Sequence, residues 1–420
     1  MEEKNSVLSK ALENHLPALA AKEQLGEQDI KNCINNGSMV LLFNPAHENC
    51  KPTLIGQPAS IKINANLGTS PFLADSELEI SKAWTAVNAG ADTIMDLSTG
   101  GDLETLRKRF LRDIELPLGT VPIYCVAQKY IGDKIDPSEM KESELISEIH
   151  LQAEQGVDFM TLHCGVTRRA VSIAKHSNRK MGIVSRGGSL LARWMESNNK
   201  ENPLLERFDE ILDICLENNV VISLGDGLRP GAGADAGDSA QWEEVIVLSE
   251  LAALAWEKGV QVMIEGPGHV PLHQVESQIQ GIKKVCNNAP LYVLGPLTTD
   301  ISPGYDHIGG AIGGALACSA GADFLCYITP AEHLTLPNEY DVWQGVKASA
   351  VAAHSAELAL GHPGAIVQNN KISEARKALD WSSIAEYSLD PDMVNNRKQN
   401  FASKDECAMC GEFCAVKLSR

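Results

Sequence analysis

Short apolar runs that end in polar or glycine-rich turns recur through the middle of the chain. Each run is too short for a helix and is rich in β-branched or aromatic residues, which predicts a buried strand. Segments with helical periodicity fill most of the gaps, as in SELEISKAWTAVNAG (76–90), and glycine closes them. The eight predicted strands lie in DTIMDLSTGGD (92–102), VPIYC (121–125), DFMTLHCG (158–165), GIVSRGG (182–188), VVISLGDG (220–227), VQVMIEGPGH (260–269), LYVLG (291–295) and DFLCYITPAEH (323–333).

Eight strands that alternate with helices predict a fold of the α/β class, a closed parallel (β/α)8 TIM barrel with its helices outside. A doubly wound open sheet is the alternative, but it needs a switch point in the strand order that the similarly spaced units do not show. We expect an N-terminal segment of helices and the extended IKINANLGTS over 1–75, a catalytic barrel over 76–340, and a C-terminal helical segment over 341–420.

Polar residues cluster just after the apolar part of every predicted strand. The carboxyl ends of barrel strands meet at one mouth, where barrel enzymes build their active sites. The sequence therefore predicts an active site there. The residues at these positions are Asp96, Ser98, Tyr124, His163, Ser185, Arg186, Asp226, Arg229, Glu265, His269, Tyr292 and His333.

The composition and charge of the chain indicate which kinds of molecule it binds. The chain has 420 residues, 44% of them hydrophobic, which is enough for one large core. Its formal net charge is -19 and no Lys/Arg block stands out, so nucleic-acid binding is not expected. The acidic start does not resemble a signal peptide, and no apolar stretch approaches the roughly 18 residues of a membrane span. We expect a cytoplasmic protein that acts on small molecules, with Cys215, Cys318 and Cys326 as reduced, buried thiols.

His269 and His333 are the most ligand-like side chains at the predicted mouth. Each follows a strand in a proline-containing turn, EGPGH or TPAEH, and imidazole is a common ligand of divalent metals. Two histidines leave the other coordination positions to water or substrate, as in a catalytic metal site. The alternative is a hydrogen-bonding or acid/base role for each histidine. Glu265 is placed to support His269 or to contact a substrate hydroxyl.

Three loops combine glycines with polar side chains: STGGD (98–102), SRGG (185–188) and DGLRPG (226–231). Glycine lets the backbone approach a ligand closely, and arginine contacts phosphate through two N–H groups. Each loop alone is weak evidence, since glycine turns also end strands for structural reasons. Their convergence on one face favours an anionic, phosphorylated ligand.

The tail carries three cysteines in CAMCGEFC (407–414), a C-x2-C-x3-C spacing. Four-ligand zinc sites normally use two close pairs, whereas a [4Fe-4S] cluster held by three thiolates leaves one iron free for S-adenosylmethionine. A zinc knuckle completed by a distant histidine, or a redox thiol cluster, remains as the alternative. So short a tail cannot shield a cluster, so we expect it to fold over a barrel mouth, its own or a partner's.

Long motifs in a fixed order resemble one family, the phosphomethylpyrimidine synthase family of radical S-adenosylmethionine enzymes, which includes the 5-hydroxybenzimidazole synthases. The resemblance runs from about residue 60 to residue 414. The motifs are NANLGTS (64–70), MDLSTGGD (95–102), GTVPIY (119–124), SRGGS (185–189), GDGLRPG (225–231), EGPGHVPL (265–272), YVLGPL (292–297), DISPGYDHIGGAIGG (300–314), FLCYITPAEHLTLP (324–337) and CAMCGEFC.

This resemblance implies a (β/α)8 homodimer with the cluster segment swapped over the partner's mouth, 5-aminoimidazole ribotide as substrate, and an external electron donor such as flavodoxin or ferredoxin. It implies zinc bound by His269 and His333, and a [4Fe-4S] cluster bound by Cys407, Cys410 and Cys414, which act in catalysis with S-adenosylmethionine. His163 and Glu265 are candidates for the general acid or base. The implied substrate contacts are Asn66, Met95, Tyr124, His163, Ser185, Arg186, Gly187, Asp226, Gly227, Leu228, Arg229, Glu265 and Tyr292.

The choice of product rests on departures from the family pattern. GQPAS (56–60) replaces a Gly-Leu-Arg element, Cys125 follows Tyr124, AGDSAQ (236–241) replaces Asp-Ala-Thr-Asp-Arg, and the last two cysteines are one residue closer. These departures favour 5-hydroxybenzimidazole, the lower-ligand precursor of cobamides, over the pyrimidine phosphate of thiamine. Two other classes stay open, a ligand-binding barrel with a structural zinc tail and a metal-dependent aldolase or hydrolase.

Overall fold

The fold of this computed structural model, which describes residues 1–419, is built on a closed barrel of eight parallel strands. The strands follow the chain order around the barrel, and the last pairs with the first. Their residues are almost all buried, because helices cover the outside and side chains fill the inside. The predicted TIM barrel is therefore confirmed.

A short antiparallel pair precedes the barrel strands, and one helix or more follows each barrel strand. The strands are β1 (Val40–Leu42), β2 (Thr53–Ile55), β3 (Lys62–Leu67), β4 (Thr93–Asp96), β5 (Leu118–Thr120), β6 (Phe159–Leu162), β7 (Val221–Leu224), β8 (Val262–Glu265), β9 (Leu291–Leu294) and β10 (Phe324–Cys326). The helices are α1 (Ser6–Glu23), α2 (Glu27–Asn35), α3 (Ser76–Ala89), α4 (Leu103–Asp113), α5 (Pro122–Gly132), α6 (Glu142–Gln155), α7 (Arg168–His176), α8 (Arg186–Asn198), α9 (Pro203–Glu206), α10 (Phe208–Asn218), α11 (Ser239–Lys258), α12 (Val275–Val285), α13 (Asp306–Ser319), α14 (Glu339–Leu360), α15 (Pro363–Ala378), α16 (Trp381–Tyr387), α17 (Pro391–Gln399) and α18 (Ala415–Leu418).

Two strand predictions are wrong, and one segment predicted as extended belongs to the barrel. VPIYC lies in α5, which begins at Pro122, and the strand before it is the short Leu118–Thr120. GIVSRGG is a loop that ends in α8, with Ser185 as the N-cap. The extended segment IKINANLGTS, expected outside the barrel, contains β3 and pairs with both β4 and β10.

The N-terminal segment covers the amino ends of the barrel strands, which we call the floor. Helices α1 and α2 and the β1–β2 hairpin share one apolar core. The N–H of Leu41 donates to Oε1 of Gln261, just before β8, at 2.8 Å. Buried Lys62 pairs with Glu23 of α1 at 3.0 Å. The segment is therefore joined to the floor by polar as well as apolar contacts.

Buried aspartates just before two strands tie neighbouring strands together at the floor. Oδ2 of Asp158, before β6, accepts the N–H of Leu118 at 2.8 Å. Oδ2 of Asp323, before β10, accepts the N–H of Leu291 at 2.8 Å. These bonds satisfy N–H groups at the strand starts.

The chain divides into two compact units, 1–353 and 354–420. In the second unit, α16 packs against α15 and α17. Trp381 donates its Nε1–H to the carbonyl of Asp405 at 2.6 Å, and Lys398 donates to the carbonyl of Glu406 at 3.1 Å. These bonds attach the cysteine tail to the helices of its own unit. The three-segment division made from the sequence stays a prediction.

Among the helices of residues 1–419, none is long and apolar enough to cross a membrane.

Candidate active site

A cavity of roughly 530 Å³ opens at the carboxyl ends of the strands, which we call the mouth. Each of the eight strands, or the loop that follows it, contributes to its wall. Nine of the thirteen predicted substrate contacts line it, which brings residues far apart in the chain to one place. They are Asn66, Met95, Tyr124, His163, Arg186, Asp226, Arg229, Glu265 and Tyr292.

The other four predicted contacts lie directly behind this wall. Ser185 caps α8 and contacts His163. A Cβ at Gly187 would overlap the imidazole ring of His163, and Gly227 is equally confined by its neighbours. Leu228 is fully buried. The glycines are therefore needed for close packing around the cavity residues.

His163 is a neutral, buried hydrogen-bonding group. Oγ of Ser185 lies 3.2 Å from its Nε2, and Nδ1 has no hydrogen-bond partner within residues 1–419. Burial, with the charges of Arg229 and Arg186, lowers the pKa of His163 to about 3. A buried polar atom without a partner needs an explanation, and a ligand in the cavity supplies one.

Two carboxyl groups of the mouth differ in their surroundings. Oε1 of Glu265 accepts hydrogen bonds from the hydroxyls of Thr161 at 2.6 Å and Ser223 at 3.1 Å. These bonds from β6 and β7 fix the position of the carboxyl group. Oδ1 of Asp226 accepts Nη1 of Arg229 at 2.9 Å, while its buried Oδ2 finds no partner in the described part of the chain. Desolvation raises the pKa of Asp226 well above its usual range, although Arg229 opposes the shift. Asp226, whose raised pKa favours the protonated form and which lines the cavity, is thus the candidate proton-transfer group of the mouth.

Strands β3, β9 and β10 contribute a hydrogen-bonded network of uncharged groups to the wall. Nδ2 of Asn64 donates to the Tyr292 hydroxyl at 2.7 Å, and Nδ2 of Asn66 donates to Sγ of Cys326 at 2.9 Å. Burial raises the pKa of the Cys326 thiol to about 12, so it is protonated. Cys326, expected to be an ordinary buried hydrophobe, lines the cavity.

Sequence reasoning missed four residues of this site, because it took polar residues after each apolar run and overlooked those within it. In a barrel strand every second side chain points inward, so a polar residue inside a run was the available signal. The missed residues are Asn64, Thr161, Ser223 and Cys326.

His269 and His333 lie together at the mouth, with ring centroids 5.3 Å apart. Nδ1 of His269 contacts Oδ1 of Asp300 at 2.7 Å, and Nδ1 of His333 contacts Oδ2 of Asp306 at 2.9 Å. Carboxylates on the far nitrogen orient metal-binding histidines and leave Nε2 for the ion. The donor set therefore fits a divalent metal such as zinc. Asp300 and Asp306 provide the support that the sequence suggested for Glu265.

A second cavity of about 720 Å³ adjoins the first. Asn66, Leu97 and Arg186 line both cavities. The loop after β3 and the segment around His333 complete the second wall. The mouth can thus hold two small molecules in contact.

The three tail cysteines lie in two successive turns. The N–H groups of Cys410 and Met409, followed by the Cys410 thiol, lower the pKa of the Cys407 thiol, which favours the thiolate that binds metal. The charge of Cys407, with a smaller contribution from Cys414, raises the pKa of the Cys410 thiol. Such converging thiols fit an iron–sulfur cluster held by three cysteines.

A third group of possible ligands lies at the floor, where atoms of His47, Cys50 and Asp158 fall within 4.8 Å of one another. Nδ1 of His47 contacts Oδ2 of Asp158 at 2.8 Å, and Nε2 contacts the carbonyl of Ile114 at 3.2 Å. Burial lowers the pKa of His47, but the Asp158 carboxylate raises it more, so the net shift is upward. Since both ring nitrogens face acceptors, we interpret the pair as a buried ion pair.

Comparisons with known proteins show what the whole chain is similar to. The profile of the radical SAM ThiC family matches residues 4–420. The chain is 47% identical to the phosphomethylpyrimidine synthase of Desulfotalea psychrophila (strain LSv54 / DSM 12343), over 100% of this chain and 98% of that protein. It is 49% identical to the phosphomethylpyrimidine synthase of Dehalococcoides mccartyi (strain CBDB1), over 96% of this chain and 94% of that protein.

Among solved structures, a dihydropteroate synthase from Xanthomonas albilineans aligns over 77% of this chain and 100% of its own, with 13% identity and a TM-score of 0.43. The family match spans the barrel, both histidine turns and the cysteine tail. The predicted resemblance is confirmed: the chain belongs to the radical SAM ThiC family, whose enzymes use S-adenosylmethionine and an iron–sulfur cluster.

Proposed function

We propose that this enzyme is a phosphomethylpyrimidine synthase, which converts 5-aminoimidazole ribotide to 4-amino-5-hydroxymethyl-2-methylpyrimidine phosphate for thiamine biosynthesis. One observation carries the proposal. Two relatives that are 47% and 49% identical to this chain, over nearly the whole of both chains, are both phosphomethylpyrimidine synthases. The sequence favoured 5-hydroxybenzimidazole instead, and we reverse that preference.

Three of the four departures that suggested 5-hydroxybenzimidazole do not line the first cavity. GQPAS lies between β2 and β3 at the floor, where the N–H of Gln57 donates to Oδ1 of Asp323 at 2.8 Å. Cys125 contacts Arg107 at 3.5 Å on the outside of the barrel. Asp238, within AGDSAQ, caps α11. Substitutions outside the cavity give no physical reason for a different product.

The charges of the first cavity suit the ribotide. Arg186 and Arg229 line it, and Arg186 lies 4.6 Å from the centre of the Tyr124 ring. We propose that the two guanidinium groups bind the phosphate and that Nδ1 of His163 and Oδ2 of Asp226 hydrogen-bond the rest of the ligand. Asp226 takes the proton-transfer role for which His163 and Glu265 were the candidates, since a pKa of about 3 makes His163 a weak base and Glu265 is bonded to its strand neighbours.

The second cavity is the proposed site of S-adenosylmethionine, beside the metal held by His269 and His333. Cys407, Cys410 and Cys414 would hold the [4Fe-4S] cluster, which would supply the one electron that breaks the S–C5' bond of S-adenosylmethionine and so gives methionine and the 5'-deoxyadenosyl radical. The mouth residues hold the ribotide against this reactant and exclude water from both. Zinc, the homodimer, the flavodoxin or ferredoxin donor and the cytoplasmic location stay predictions.

The test is an anaerobic incubation of the reconstituted enzyme with the ribotide, S-adenosylmethionine and a reductant, followed by mass spectrometry. Hydroxymethylpyrimidine phosphate and 5'-deoxyadenosine are the expected products. The Cys410→Ala variant, treated identically, should yield neither and should lack the brown colour of the cluster. If 5-hydroxybenzimidazole is formed instead, the proposed product is wrong.

A further inference from the structure

The loop after β7 carries two cavity residues, Asp226 and Arg229, on either side of Gly227 and Leu228. The N–H of Arg229 donates to the carbonyl of Asp226 at 3.1 Å, which closes a turn. Where the two side chains point depends on the orientation of the peptides between them. The groups that fix Leu228 therefore control the cavity indirectly.

Two side chains from outside the cavity bind the backbone of Leu228, one at its N–H and the other at its carbonyl. Oε2 of Glu244, on α11, accepts the N–H of Leu228 at 2.8 Å. Nη2 of Arg179 donates to the carbonyl of Leu228 at 2.5 Å. Both side chains are almost fully buried, and neither lines the first cavity. We call this pair of contacts the Leu228 clamp.

The Arg179 half of the Leu228 clamp is fixed by its own hydrogen bonds. Nε and Nη2 of Arg179 bond both oxygens of Asp238, the N-cap of α11, at 2.7 and 2.8 Å. Nη1 of Arg179 donates to the carbonyl of Gly182 at 3.1 Å. Burial raises the pKa of Glu244 to about 8, against the N–H groups of Leu228 and Gly227 that lower it. A protonated carboxyl group has the shape of an amide, so glutamine can replace it.

We propose that Glu244 and Arg179 are positioning residues that hold the 226–229 loop so that Asp226 and Arg229 face the ligand. The identity of that ligand, 5-aminoimidazole ribotide, rests on the proposed function. Loss of the clamp weakens ribotide binding, although neither Glu244 nor Arg179 contacts the ribotide.

Hydrogen–deuterium exchange of the ligand-free protein tests the Leu228 clamp without any assumption about the ligand. We expect exchange in the peptide 225–231 to rise about tenfold in Glu244→Ala and in Arg179→Met, because each change removes a buried hydrogen bond. Glu244→Gln should restore slow exchange. Glu250→Ala, an exposed position on the same helix, is the matched control.

Ribotide binding by calorimetry tests the consequence. Glu244→Ala should raise the Kd for the ribotide about tenfold. It should leave the formation of 5'-deoxyadenosine on reduction without ribotide unchanged, a selectivity that general destabilisation would not give. Glu244→Gln should restore the affinity.

Equal exchange in Glu244→Ala and Glu250→Ala would overturn the clamp. Faster exchange with an unchanged ribotide Kd would overturn its role in binding. Absence of ribotide binding by the unmodified enzyme, with the exchange result intact, would count against the proposed function and leave the clamp standing.

Discussion

The two ends of the barrel both bury titratable groups, but the groups at the two ends differ in their hydrogen-bond partners. At the floor, each oxygen of Asp158 and Asp323 has at least one partner from the chain. At the mouth, Oδ2 of Asp226 and Nδ1 of His163 are buried without a partner among the described residues. Fully satisfied groups stabilise a fold, whereas unsatisfied ones destabilise it unless a ligand completes them. Polar satisfaction thus distinguishes these two floor aspartates from these two groups of the mouth.

The largest expected effect is at the floor. Asp158→Asn removes the negative charge beside buried His47 and leaves the charged imidazole unpaired. We expect the free energy of unfolding to fall by about 3–5 kcal/mol, measured by denaturant titration. The matched control is Asp113→Asn, which alters a partly exposed surface ion pair. A loss in Asp158→Asn no larger than the control's would mean that the floor pair is not ionic.

The corresponding change at the mouth, Asp226→Asn, should change stability little and turnover strongly. In Asp226→Asn the amide oxygen still accepts from Arg229, and the replaced Oδ2 has no partner to lose within residues 1–419. We expect stability to change little and kcat to fall about 10²–10³-fold, because an amide cannot exchange a proton. Unfolding and turnover measured on one preparation check this. A stability loss like that of Asp158→Asn would abolish the distinction between the two ends.

The pH dependence of stability sharpens the contrast. The pKa of His47 is raised in the folded protein, so its ion pair contributes fully below the unfolded pKa of about 6.5. The contribution is lost as pH rises through the folded pKa, and it amounts to about 1.4 kcal/mol for each pH unit between the unfolded and folded pKa values. Unfolding measured from about pH 6 to about pH 8.5 should show this decline, and His47→Gln should flatten it. An identical decline in His47→Gln would assign the effect to other groups.

The sequence predicted the barrel because most strands are continuous apolar runs bounded by glycine turns. It failed at β5, where the strand is Leu-Gly-Thr: Gly119 leaves room for the ring of Phe159 and supplies no apolar signal. It failed at β3 because Lys62, Asn64 and Asn66 interrupt the run. Lys62 pairs with Glu23, and the asparagines belong to the network at the mouth.

The candidate site was more predictable than these strands. Mouth residues follow strands in glycine-rich motifs, so the pattern located seven of the nine cavity residues despite errors in strand boundaries, and the family resemblance supplied Asn66 and Met95. It could not find the partners that decide their protonation. Asp226 and Glu265 look alike in sequence, but Glu265 is bonded to Thr161 and Ser223, which lie on other strands.

The smallest expected effect is that of Gln57→Ala, which tests whether the floor influences the choice of product. Gln57, in the GQPAS segment, donates its Nε2–H to the carbonyls of Cys318 and Ala322 at 3.2 and 3.1 Å. Gln57→Ala removes these bonds but keeps the backbone bond to Asp323, so we expect a stability loss of about 1 kcal/mol. Mass spectrometry should find the same product as for the unmodified enzyme, because the cavity is untouched. A shift toward 5-hydroxybenzimidazole or away from it would show that the floor influences the reaction. The two ends of the barrel would then be coupled, and polar satisfaction alone could not divide structural residues from functional ones.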